Sequence, residues 1–118
     1  MNKFEENKIG KIHENNNLTN KKEISEREEY ISELTLKIAS LFKEIKRERK
    51  IISNQKMNYR YYQSKTDWLS KHVFTLVKKE IAFCEEQILK YKQQQEKYIQ
   101  IINEETEIIA RLKNSKRR

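Results

Sequence analysis

The chain has 118 residues, 37% charged and 36% hydrophobic, with a formal net charge of +8; an ordinary globular domain holds about 25% charged and about 45–50% apolar residues. A chain this polar cannot bury a broad core and must use its apolar surface along narrow seams. It contains no proline and a single glycine, Gly10, which argues against turn-rich β architectures and against the glycine-rich loops that cradle phosphates.

The lone cysteine, Cys84, rules out an internal disulfide and fits a reducing compartment. No apolar run approaches the roughly 18 residues of a bilayer span, and MNKFEENKIG resembles neither a signal nor a transit peptide. The expectation is an intracellular, cytoplasmic protein with no integral membrane segment. The basic end KNSKRR also fits a nuclear address.

The positive charge is concentrated. Residues 43–79 hold eleven Lys and Arg against Glu44, Glu48 and Asp67, a local net charge of +8, whereas residues 1–42 carry −1 and residues 80–118 carry +1. Whatever the charge attracts is therefore expected to meet the middle of the chain.

In chain order, residues 1–21 are Asn-rich and lack a sustained period, which predicts a disordered or loosely docked tail. SERE at 25–28 has capping-box spacing, and Thr19 or Asn20 offers an alternative cap. A first helix is predicted over 22–57, because Ile24, Ile31, Ile38, Ile45 and Ile52 recur every seven residues, with Leu34 and Leu41 three residues after their neighbours. Isoleucine and leucine in this arrangement favour two-stranded parallel coiled coils. Arg27, Glu48 and Gln55 interrupt the companion position. Tyr59 and Tyr62 extend the seam beyond the expected end of the helix.

Residues 58–67 are predicted as a hinge or turn. The seven-residue frame before them reaches its next seam position at 66, whereas the frame after them requires 67. Ser64 to Asp67 offers a cap three residues before an acid. A helical hairpin is preferred to one continuous rod, although the lack of Gly or Pro speaks against a tight reversal.

The second helix is predicted over 68–113. Phe74, Ile81, Ile88, Ile102 and Ile109 form one row of its seam, and Val77, Cys84, Tyr91, Tyr98 and Leu112 form the other. Gln95 and Glu105 interrupt them. Flanking residues including Leu69, Leu76, Phe83 and Leu89 widen the stripe, as contact with more than one neighbouring helix would require. Residues 114–118 form a basic tail.

No catalytic, cofactor-binding or metal-binding set emerges. His13 and His72 are far apart, neither has metal-ligand spacing with Cys84, and Cys84 on a seam reads as a small core residue. The adjacent pairs Glu85–Glu86 and Glu104–Glu105 diverge around a helix and read as solvated faces.

The candidate contact residues are Lys43, Lys46, Arg47, Arg49 and Lys50, which form a positive band avoiding Ile45, together with Arg60 and Tyr61. Such a band attracts an acidic protein surface or nucleic acid, and nearby rings are able to stack on bases. Tyr59 and Tyr62 lie on the seam, so interface packing accounts for them, whereas Arg60 and Tyr61 stand off it.

The sequence thus predicts an all-α, non-enzymatic coiled-coil adaptor. Its seams would hold other helical chains, homo- or hetero-oligomeric, and its basic middle would face an acidic partner. A small dimeric nucleic-acid-binding protein using residues 43–79 is the alternative. Long seamed helices of low hydrophobicity gain little by folding alone, so folding coupled to association is expected.

Overall fold

The computed structural model describes the backbone of residues 9–115 and the side chains of residues 18–115. Two helices account for nearly all of it: α1, Ile9–Gln63, and α2, Trp68–Ser115. There is no strand among the described residues. Both helices exceed the expected bounds. Residues 1–8 of the expected tail lie outside the described residues, whereas the backbone is helical from Ile9, so Thr19, Asn20 and Ser25 lie inside α1 and cap nothing. After Gly10, no helix-breaking residue interrupts α1, and a capping side chain stops a helix only where the chain also leaves it.

At the other end, Asn58 to Gln63 continue α1, so the expected hinge at 58–67 narrows to residues 64–67. The Lys65 amide donates to the Tyr62 carbonyl at 3.2 Å, closing a tight last turn. The cap of α2 is Asp67 and not Ser64. The Asp67 carboxylate accepts from the Ser70 amide at 2.9 Å, and the Asp67 carbonyl accepts from the Lys71 amide at 3.0 Å. An aspartate in this place satisfies a free donor and complements the positive end of the helix. That bond to the Ser70 amide, and then one to its hydroxyl, holds the Asp67 carboxyl below its ordinary range. The described backbone has no residue at positive φ, so the turn is made without the conformation that glycine would provide.

The chain divides into two compact units. In the first, Leu36–Tyr98, the two helices reverse on each other. Moving away from the turn, Tyr59 meets Phe74, Gln55 bonds Glu80, Cys84 lies beside Glu48, and Gln95 bonds the Ile38 carbonyl. Partners descend on one helix as they ascend on the other, so this unit is an antiparallel helical hairpin. The parallel pairing favoured by Ile and Leu is overridden by connectivity, because a four-residue connection permits only an antiparallel return. Ile45, Val77 and Cys84 are buried at its centre.

The second unit comprises Met1–Thr35 and Ile99–Arg118. Among its described residues Ile24, Leu34 and Ile109 are buried. Arg27 donates two hydrogen bonds to the Glu105 carboxylate, at 2.9 and 2.8 Å, and another to Glu23 at 3.1 Å. The bonds to Glu105, and then to Glu23, raise the guanidinium above its ordinary pKa.

Candidate interaction surface

The seven-residue rows on α1 and α2 occupy the interior of both units. Leu34, Ile45, Val77, Cys84 and Ile109 are buried; Ile31, Ile38, Leu41, Ile52, Phe74, Ile81, Ile88, Tyr91, Tyr98, Ile102 and Leu112 are half-buried. These are the residues the sequence offers as a helix interface. Within each unit they pack between α1 and α2, so the chain itself provides the partner helix. The seam positions between them are polar yet also shielded, each with a partner. Arg27 and Glu105 pair, Gln55 meets Glu80, and Gln95, 7% exposed, donates to the Ile38 carbonyl at 3.1 Å. No buried polar side-chain atom among the described residues lacks a hydrogen-bond partner.

Surface chemistry is therefore left to the outward positions of the hairpin unit. Lys43, Lys46, Arg47, Arg49, Lys50, Arg60 and Tyr61 are all exposed. The helix distributes them, since residues seven apart share a face. Lys46 and Arg60 lie on one face with Ser53 between them. Lys43 and Lys50 lie on the outermost face, and Arg47 and Tyr61 share a third. Arg47 is also bonded to Glu44 at 2.8 Å, the only ion pair among these candidates in the described residues. Arg49 stands on a fourth face with Lys56, so the positive band is four surfaces and not one site.

The aromatic cluster at the turn is partly occupied by its own neighbours. Tyr59 packs on Phe74 with ring centres 4.8 Å apart, and Lys78 lies over Phe74. Tyr61 meets Tyr62 edge-on at 4.8 Å while the Lys65 ammonium lies 4.8 Å from the Tyr61 ring. Trp68, highly exposed, stacks on His72 with planes 3° apart. Tyr61 and Trp68 still present open faces, but each ring already has a partner that holds its orientation.

A concavity on the hairpin unit combines apolar surface with an excess of positive charge. A groove of about 560 Å³ runs over Arg49, Ile52, Ser53 and Lys56 of α1 and Glu85, Ile88, Leu89 and Lys92 of α2. Its floor is Ile52, Ile88 and Leu89, and Leu89 is 56% exposed. Arg49, Lys56 and Lys92 stand around it with one acid, Glu85. Of these eight, the sequence reading singled out Arg49 as a contact and Ile52 and Ile88 as seam residues. It missed Ser53, Lys56 and Lys92. Their signal is the seven-residue spacing of Arg49 with Lys56 and of Glu85 with Lys92, which becomes a site only once the two helices are placed side by side.

Cys84 is buried, and its thiol is pushed up to about 11 by that burial first, then by Glu48 and Glu80. It is held as a neutral thiol and is a poor nucleophile in this setting. Among the described residues no cluster of three His, Cys, Asp or Glu side chains has metal-binding geometry, and no helix is long and apolar enough to cross a membrane. Compared with protein-family models, with curated proteins and with solved structures, the chain finds no match.

Proposed function

We propose that the protein is a non-enzymatic helical adaptor that works in the cytoplasm as a subunit of a larger assembly and binds an acidic protein partner through the outward surface of its hairpin unit. The observation that supports this reading is the concentration of eleven cations against three acids in residues 43–79, on a surface where Lys43, Lys46, Arg49, Lys50 and Arg60 are exposed. Fixed charges of one sign raise the local concentration of an oppositely charged partner and speed its encounter. Docking falls to this surface because the seam residues are buried or half-buried between the two helices of each unit, which leaves only part of Ile52 and Ile88 open to a partner.

Nucleic acid is the other anionic class. Its binding is driven by cations that neutralise phosphates, and for single strands also by aromatic faces free to stack on bases. Here the cations are spread over four faces, and Tyr59, Tyr61 and Trp68 each already pack against a neighbouring side chain. Fluorescence anisotropy of the intact chain with a duplex DNA 20-mer and a single-stranded RNA 20-mer tests the point. The expected outcome at physiological salt is a Kd weaker than about 1 μM, in the range of non-specific binding. Submicromolar affinity that falls steeply with salt, and is lost in the Lys43→Glu/Lys50→Glu variant, overturns the adaptor reading.

A further inference from the structure

From the groove over Ile52, Ile88 and Leu89, ringed by Arg49, Lys56 and Lys92, we infer a docking site for one acidic amphipathic helix of a partner protein. The inference rests on the adaptor reading and gives that partner a chemistry. Glu85 to Lys92 is seven residues, about 10 Å of helix at ~1.5 Å per residue, so the groove matches about two turns of a ligand helix. Apolar residues at i, i+3 or i+4, and i+7 of such a helix form a stripe of that length. They settle on the Ile52, Ile88 and Leu89 floor, while Asp or Glu residues on the flanks meet Arg49, Lys56 and Lys92. Ser53, a small and exposed lining residue, allows the incoming helix a close approach.

Charge selects this occupant. A second copy docking symmetrically would bring the same patch against itself, setting Arg49, Lys56 and Lys92 opposite their own counterparts; like charges across an interface oppose association. A small ligand is disfavoured by geometry, because a small-molecule site encloses most of its ligand, whereas Leu89 on the floor is more than half exposed. Single-stranded nucleic acid stacks its bases on aromatic platforms, and none of the eight lining residues is aromatic.

A display library of helix-favouring 16-residue peptides, selected against the full chain, is the test. Enriched peptides are expected to combine apolar residues at helical spacing with Asp or Glu on the flanks. Their affinity, measured by anisotropy on synthesised peptides, should fall at least tenfold in Arg49→Glu/Lys92→Glu and in Leu89→Gln, and change less than twofold in Lys71→Glu, a control outside the groove. Helicity by circular dichroism confirms that each variant folds; Leu89→Gln alters the floor without adding charge. An absence of enrichment, enrichment without acids, or peptides indifferent to the groove variants overturns the docking site and leaves the adaptor reading standing. Submicromolar binding of the DNA or RNA 20-mer through Arg49, Lys56 and Lys92 overturns both.

Discussion

Cys84 shows how a single residue is decided by its surroundings. Its position on the seam predicts a small core side chain, and the structure buries it beside Glu48. The thiol is raised from its ordinary 9.0 to about 11, so folding favours the protonated form. The stability this contributes is fully present below pH 9.0, where the unfolded thiol is still protonated, and is lost as pH rises through about 11. A chemical-denaturation series from pH 8 to 11 should show falling stability in the native chain and a flatter profile in Cys84→Ala. Alkylation at pH 8 should be slower in the folded protein than in urea by a factor on the order of a hundred, the loss of thiolate that a two-unit shift implies. Equal rates in the two conditions would show that the thiol is not shielded.

At the scale of a helix, the seven-residue frame divides residues of the same type. Leu34 is 2% exposed and Leu36 is 69% exposed, although both lie on α1 two residues apart. Leu34→Ala removes a fully packed side chain and should cost about 2–5 kcal/mol. Leu36→Ala, at a surface position, should stay within about 0.5 kcal/mol. Urea unfolding followed by circular dichroism measures both, and similar losses would contradict the frame. Helix boundaries were less readable than the frame. A capping box at Ser25 and a hinge beginning at residue 58 describe stops that are locally permitted. Helix propagation through residues that lack Pro and Gly, aided by the Asp67 cap on the far side of the turn, moves the real break to 64–67.

For the whole chain, the arrangement of the seams changes what association has to do. Low hydrophobicity predicts that each long helix needs a partner, and within both units the other helix of the same chain provides one. The thermal midpoint should therefore be unchanged, within about 2 °C, over a hundredfold range of protein concentration, because an intramolecular partner does not dilute. A midpoint that climbs steadily with concentration would mean that the seams are exchanged between chains. A partner bound in the outer groove stabilises only the folded form, so adding it should raise the midpoint in proportion to its occupancy.

Taken alone, the sequence determined the class of structure. Apolar residues every seven positions, few breakers and scarce total apolar surface permit long helices with narrow seams, and the one-residue slip between the frames marked where the chain turns. It also located the charge. What it left open was which surfaces meet, because a helical period is a property of one segment and contact depends on two. Arg27 and Glu105 each read as a flaw in its own seam, and only the tertiary structure makes them a bonded pair at 2.8 Å. Gln95 likewise interrupts an isoleucine row until the Ile38 carbonyl comes within 3.1 Å. The basic groove has the same origin: Arg49 and Lys56 on one helix and Lys92 on the other flank a common floor only after the turn at 64–67 lays α2 back along α1.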